Sequence, residues 1–157
     1  MSQALKLPQV LEKEQYLKLP TQEKERYARE TIKETVNQNP DGVTVPQLAK
    51  ALPFDARTIA KHLEVLTHTN DVYTVPIGAT ILYLPNGKLM HTVPLDPLLI
   101  KDRIYQAHVL QNRLGQFVFI QEKKKTDYSE EATGGLMISL ASFDTFVKYL
   151  QAVSEKI

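Results

Sequence analysis

Apolar residues in the first half of the chain recur at helical spacing and then give way to β-forming runs. A helix from Thr21 to about Asn37 is predicted, with Thr21 as its N-cap, because apolar residues recur at every fourth position. Two shorter helices follow, one starting at Pro46 and stopped by Pro53, the other capped by Asp55. The apolar stripes of the three helices are Ala28, Ile32 and Val36; Leu48, Ala49 and Leu52; and Ile59, Leu63 and Leu66.

A β-hairpin is predicted directly after the third helix. Strands near residues 72–75 and 80–84 are rich in β-forming side chains, and Gly78 between them can take the positive φ that a tight turn requires. A short strand over 43–45 precedes the second helix. The element order of residues 22–89 is therefore helix, strand, helix, helix and hairpin.

The C-terminal part of the chain predicts an antiparallel sheet closed by one helix. Strands are expected over 104–111, 116–122 and 136–140, with a polar loop or strand extension over 123–133. A helix capped by Ser142 follows, and its apolar face consists of Phe143, Phe146, Val147, Leu150 and Val153. The predicted fold class is α+β, with a helical unit that ends in a hairpin followed by a β-β-β-α unit.

Proline placement divides the chain into domains. Two prolines lie within residues 90–97, which are therefore predicted to be an extended linker between a domain over 22–89 and one over 98–157. Residues 1–21 are expected to form a tail or a short docking helix. A domain of about 60 residues buries little apolar surface by itself, which predicts a homodimer through 98–157.

Composition limits the class of protein. The chain has 157 residues, of which 43% are hydrophobic, and it has no cysteine, so disulfide and thiolate chemistry are excluded. No run of about 18 apolar residues is present, and the N-terminal segment lacks the apolar core of a secretory signal. We expect a soluble, cytoplasmic protein with no membrane partner.

Charge is balanced along the chain. The net charge is +1, and basic and acidic residues balance within residues 22–90 and again within 91–157. Proteins that coat nucleic acid without specificity carry a strong basic excess, because phosphate neutralisation supplies most of their affinity. The balance argues against a bulk chromatin protein and leaves two alternatives: a module with a local basic patch, or one that binds protein.

The third predicted helix carries the candidate DNA-contacting residues. Away from its apolar stripe, it presents side chains suited to base edges and phosphates, namely Arg57, Thr58, Lys61 and His62. The alternative is that these residues are only the solvated side of an amphipathic helix.

Residues 43–87, from the short strand to the end of the hairpin, resemble the winged helix-turn-helix of bacterial and archaeal regulators. The resemblance implies that the third helix lies in the major groove of double-stranded DNA, with the hairpin beside it as a wing. DNA-binding members of this class commonly place lysine or arginine at or just after the wing glycine. This chain has Ala79 and Thr80 there. Thr80 is therefore the candidate wing contact, and the apolar tip suits a protein partner equally well.

The C-terminal part resembles the single-strand-binding fold of transcriptional coactivators and the plant Whirly proteins. The similarity lies in GQFVFIQEKKK (Gly115–Lys125) and in GGLMISLASFDTFVKYL over 134–150. It implies a dimer whose curved sheets bind single strands or melted duplex. The candidates for single-strand contact are Lys123, Lys124, Lys125 and Tyr128, because lysines pair with phosphates and a tyrosine ring stacks on bases. The alternative is that the lysines protect an edge strand from aggregation.

The sequence contains no motif for catalysis, cofactor binding or metal binding. The four histidines, His62, His68, His91 and His108, lack the spacing of metal ligands. The phosphate-loop, dinucleotide-binding, nucleophile-elbow and zinc-protease motifs are all absent from the sequence. We therefore expect no enzyme activity, no cofactor and no metal site.

Three hypotheses for the function follow. The first is a dimeric transcriptional regulator that reads double-stranded DNA with its third helix and takes single-stranded DNA as a second ligand of the sheet. The second is a winged-helix adaptor that binds proteins of the transcription or replication machinery. The third is a repressor that senses a small molecule in a pocket lined by Phe119, Met137 and Phe146.

Overall fold

The computed structural model describes residues 4–157 and divides into two compact units, one ending at Pro85 and the other spanning Asn86–Ile157. Both units combine helical and antiparallel β-structure, so the chain is an α+β protein, and it has a C-terminal helix. The first unit consists of helices α1 (Lys13–Leu17), α2 (Thr21–Gln38), α3 (Val45–Ala51) and α4 (Ala56–His68), followed by strands β1 (Val72–Ile77) and β2 (Thr80–Pro85).

Polar side chains set the starts of α3 and α4. The Thr44 hydroxyl accepts a hydrogen bond from the backbone N–H of Gln47, whose side-chain oxygen accepts one from the N–H of Thr44 in return. Asp55 Oδ1 accepts a hydrogen bond from the N–H of Thr58 at 2.7 Å, which confirms the predicted cap of α4. The cap predicted at Thr21 is wrong, because that residue is already helical.

Apolar side chains of α2, α3 and α4 form a single core in the first unit. Its buried residues are Ala28, Ile32, Val36, Val43, Leu48, Leu52, Phe54, Ile59, Leu63, Leu66 and Val72. Helical spacing assigned most of these correctly, and only Ala49 of the predicted stripes is half-buried. Val43 also exchanges two backbone hydrogen bonds with Tyr83 of β2, of 2.9 and 2.8 Å, which tie the segment before α3 to the hairpin.

The N-terminal segment packs on this core. The residues that lie against the core are Leu5, Val10 and Tyr16. The ring of Tyr16 meets Phe54 in an edge contact with the ring centroids 4.9 Å apart. This contact joins the segment to the residue just before the cap of α4. Residues 1–3 of the tail predicted over 1–21 lie outside the described residues.

The second unit is built on a five-stranded antiparallel sheet. Its strands are β3 (Lys88–Thr92), β4 (Leu98–Ile100), β5 (Arg103–Asn112), β6 (Gly115–Lys125) and β7 (Glu130–Ser139), and a 3₁₀ turn (Leu140–Ser142) leads into helix α5 (Phe143–Lys156). The spatial order is β3-β5-β6-β7, and β4 pairs with the same edge of β5 as β3 does.

The structure of this region differs from the sequence-based expectations. The sheet has five strands rather than three, because β3 and β4 satisfy their backbone groups against β5. The division between the units follows Pro85, which differs from the linker predicted over 90–97. Residues 123–133, predicted as a polar loop or a strand extension, extend β6 and β7 except at the turn over 126–129.

The second unit buries few apolar side chains. Those that are buried lie on β5 and β6, and they are Val109, Leu110, Val118 and Phe119. Helix α5 has no buried residue, and Leu150 and Val153 of its apolar face are 47% and 37% exposed. The predicted amphipathic helix is therefore present, but much of its apolar face is uncovered.

Candidate nucleic-acid interface

Helix α4 has one buried and one exposed face. Its buried side chains are Ile59, His62, Leu63 and Leu66. Its exposed residues are Ala56, Arg57, Ala60, Lys61, Glu64 and His68, of which the first five, hereafter the α4 face, lie in the first three turns. The two alanines beside the two cations leave little side-chain bulk above the helix backbone. A helix of this shape can approach a wide groove closely, and the major groove of B-DNA admits an α-helix.

His62 does not belong to the α4 face, and its predicted DNA contact is wrong. Its side chain is fully buried, and neither ring nitrogen has a hydrogen-bond partner within residues 4–157. Burial lowers the pKa of His62 despite the opposing field of Glu25, whose Oε2 lies 3.7 Å from His62 Nε2. His62 lies three residues after Ile59 and four before Leu66, so helical spacing already places it on the apolar stripe.

The three other predicted residues of α4 differ in accessibility. Lys61 is exposed, and its Nζ lies 2.8 Å from Oε2 of Glu25 on α2. The hydrogen bond from Lys61 lowers the pKa of the Glu25 carboxyl. Thr58 is half-buried, and the bond from its backbone N–H holds the pKa of Asp55 below the usual value. Arg57 and Lys61 are therefore the predicted residues whose charged groups reach solvent.

The hairpin tip is apolar. Gly78 has a φ of +62°, and with Ala79 it forms a two-residue turn that leaves Thr80 exposed at the start of β2. Ile77 and Ile81, on either side of Thr80 and the turn, are 59% and 49% exposed. Residues 72–85 include no lysine or arginine. The candidate wing residue Thr80 thus lies on an apolar surface rather than a cationic one.

The predicted lysine run lies in a strand that is paired on both sides. Since β6 is bonded to β5 and to β7, the interpretation of residues 123–125 as edge-strand protection is wrong. Lys123 Nζ lies 3.9 Å from a Glu130 oxygen, and Lys124 Nζ lies 4.0 Å from an Asp102 oxygen. These acidic neighbours partly balance two of the three charges, and Lys125 is exposed at the strand end.

Tyr128 projects from the turn between β6 and β7, with a side chain that is 98% exposed. The turn is ordered by hydrogen bonds between Thr126 and Ser129, including one of 2.8 Å from the N–H of Thr126 to the Ser129 carbonyl. An exposed ring on an ordered turn is suited to stacking on a base. Lys124, Lys125 and Tyr128 are therefore the exposed members of the four single-strand candidates, and Lys123 is half-buried.

The five-stranded sheet of the second unit contains a polar cluster that the sequence did not predict. Glu122 accepts hydrogen bonds from the Tyr105 hydroxyl at 2.7 Å, from Arg103 Nη1 at 3.0 Å and from the Thr133 hydroxyl at 2.8 Å. The bond from Tyr105 is the main cause of a lowered pKa at Glu122, and the same bond raises the pKa of Tyr105. These residues meet only because the strand register places Tyr105 opposite Glu122, for which local sequence gives no signal.

The residues assigned to an effector pocket lie in the sheet and helix of the second unit. Phe119 is buried, and Met137 and Phe146 are half-buried. A shallow cleft of this unit is lined by other residues, Lys88, Met90, Gln111 and Asn112.

Residues 4–157 contain neither a membrane-spanning helix nor a cluster of metal-binding side chains. No helix in this range is both long enough and apolar enough to cross a membrane. No group of three or more histidine, aspartate or glutamate side chains in the same range is placed to hold a metal ion.

Comparison with known proteins identifies no relative of this chain. No family model matches the sequence, and no curated protein or solved structure matches it significantly. An assignment of function therefore depends on the residues and geometry of the chain itself.

Proposed function

We propose that this protein is a DNA-binding regulator of transcription, and that its first unit is a winged helix-turn-helix. The observation that carries the proposal is the α4 face, where Arg57 and Lys61 are exposed beside two alanines on a capped helix of 13 residues. This combination of small side chains and positive charge suits the major groove, where arginine and lysine bind base edges and phosphates.

The elements around α4 support the same proposal. Helix α3 precedes α4 after a short turn, and the hairpin of β1 and β2 follows it. In a winged helix-turn-helix the second helix enters the major groove, while neighbouring elements contact the DNA backbone. Arg57 then reads bases or phosphates, Lys61 binds a phosphate, and Thr58 and Thr80 are secondary contacts of the helix and the hairpin.

The second unit is proposed to join two copies of the chain into a cytoplasmic homodimer. Its small core and the exposed apolar residues of α5 support this role, since a second copy covers surface that the unit leaves in contact with water. A dimer presents two α4 faces, which suits a DNA site with two half-sites. Single-stranded DNA is proposed as a second ligand, bound through Lys125 and Tyr128 with Lys123 and Lys124 nearby.

Fluorescence anisotropy of the full chain against random duplex and random single strands, at several salt concentrations, tests this proposal. We expect duplex affinity that falls steeply with salt, because each phosphate contact releases counterions. On random duplex, Arg57→Ala should weaken binding and reduce its salt dependence through a lost phosphate contact, and on a DNA site selected for tight binding it should cost about 1–3 kcal/mol through a lost base contact. The matched control is Arg113→Ala, which removes an exposed arginine from the turn between β5 and β6. Equal duplex affinities for these two variants would contradict the proposed role of α4.

A protein-binding adaptor of the transcription machinery is the second candidate, and the exposed Ile77 and Ile81 favour it. Apolar side chains at a hairpin tip suit burial against another protein. This candidate predicts no duplex binding even at low salt. It also predicts that Ile77→Ser loses a co-purifying protein partner. The control is Leu17→Ser, which should keep that partner and which changes a similarly exposed apolar residue elsewhere in the first unit.

A further inference from the structure

The exposed lysine of the α4 face is held by an acidic side chain of α2. Lys61 Nζ and Glu25 Oε2 are 2.8 Å apart, and the two side chains are 58% and 41% exposed, so both groups are accessible to a ligand. A charge-assisted hydrogen bond of this length is also what a lysine makes with a phosphate oxygen. Glu25 therefore occupies the ammonium group of Lys61 that a nucleic-acid phosphate would bind.

The surroundings of the Glu25 carboxylate favour an anion. Arg29 lies one turn further along α2, and its Nε is buried with no hydrogen-bond partner in the described part of the chain. His62 Nε2 lies 3.7 Å from the same carboxylate oxygen that Lys61 binds. Lys61 and Arg29 stabilise the charged form of Glu25, and His62 adds to this only when its ring is protonated. A phosphate oxygen placed near Lys61 meets the same field.

We propose that Glu25 competes with DNA for Lys61. The Glu25 carboxylate binds Lys61 in place of a backbone phosphate until duplex binds. The inference rests on the proposed function, since it requires that the α4 face contacts DNA. Binding then exchanges one ion pair for another, so Glu25 lowers the affinity of the α4 face for duplex. Because exposed ion pairs are weak, DNA can displace the carboxylate.

Glu25→Gln tests the proposal, since it removes the charge and nearly preserves the side-chain shape. We expect duplex binding to tighten on the order of fivefold, and the slope of log affinity against log salt to steepen by up to about 0.9. The matched control is Glu30→Gln, which removes the same charge from an exposed position of α2 outside the α4 face. In a Lys61→Gln background, Glu25→Gln should gain no more affinity than Glu30→Gln does.

Several outcomes would overturn the inference. Equal gains in affinity for Glu25→Gln and Glu30→Gln would show an effect of net charge alone, and a loss of affinity in Glu25→Gln would show that Glu25 positions Lys61 for DNA. In either case duplex binding by the parent chain leaves the proposed function standing. If no variant binds duplex at low salt, the proposed function fails and the inference fails with it. Circular dichroism checks the fold of each variant, and Glu25→Ala provides a second competitor-free chain should Glu25→Gln unfold.

Discussion

The two units of this chain differ in how much of their own apolar surface they cover. In the first unit, Ile32, Ile59 and Leu63 are completely buried where three helices meet. In the second unit, α5 buries no residue, and Leu150 remains 47% exposed. The first unit therefore has the core of an independent domain, while we propose that the second completes its core with another copy. We propose that the α4 face of the first unit binds DNA and that the apolar face of α5 in the second unit binds a partner chain.

Truncating the core of the first unit should have the largest effect on stability. Leu63→Ala is expected to lower the free energy of unfolding by about 2–5 kcal/mol, because it removes buried methyl groups and leaves a cavity. Urea denaturation of the full chain measures the loss. Val153→Ala on α5 is the control, and at concentrations where the chain is monomeric it should cost far less because Val153 is 37% exposed. Similar losses for both variants would remove the distinction between the units.

A charge on the apolar face of α5 should break the proposed homodimer. Leu150→Glu is expected to weaken dimerisation about tenfold or more, since burying one leucine side chain contributes about 1.5–3 kcal/mol. Sedimentation velocity over a concentration series measures the dissociation. Gln151→Glu adds the same charge at the next, exposed position of α5 and should leave the dimer intact. A parent chain that stays monomeric at every concentration would contradict the proposed dimer.

Stability should fall as the pH drops below neutrality. Burial lowers the pKa values of His62 in the first unit and His108 in the second from an ordinary value of 6.5. The unfolded chain therefore takes up protons near pH 6.5 that the folded chain does not. Stability is then full above that pH and declines, by up to about 1.4 kcal/mol per pH unit per histidine, as the pH falls toward the folded-state pKa.

A variant of His62 tests its share of this pH dependence. His62→Leu should reduce the decline of the unfolding free energy between pH 7.5 and about 5.5, as measured by urea denaturation, and leave the contribution of His108. His68→Leu replaces an exposed histidine of the same helix and should leave the decline unchanged. A parent-like slope in His62→Leu would mean that His62 titrates normally in the folded chain.

The smallest expected effect is local to the polar cluster of the second sheet. Glu122→Gln should lower the pKa of Tyr105 toward its usual range, because the carboxylate that accepts a hydrogen bond from the phenol and repels the phenolate is gone. Titration of the tyrosine ring carbons by NMR measures this change. Glu131→Gln, at an exposed position of β7, should leave the Tyr105 titration unaltered. An unchanged Tyr105 pKa in Glu122→Gln would show that the hydrogen bond does not control it.

Local periodicity predicted the first unit better than the second. The stripes of α2, α3 and α4 and the cap at Asp55 depend on residues within one or two turns, so the sequence alone places them. The same spacing assigns His62 to the core, because His62 lies three residues after Ile59 and four before Leu66, and its imidazole chemistry alone suggested a DNA contact. Strands β3 and β4 could not be assigned, because their pairing with β5 involves residues distant along the chain. The pair of Lys61 and Glu25, 36 positions apart, and the cluster at Glu122 likewise depend on tertiary placement.

The most direct test of the central claim is to map backbone amide shifts by NMR while a duplex is added to the full chain. We expect the perturbed amides of the first unit to cluster at residues 56–61 of α4 and 78–80 of the hairpin. The same titration of Arg57→Ala should give weaker perturbations at these positions. Perturbations confined to the sheet of the second unit, or none at low salt, would contradict the claim that the α4 face binds DNA.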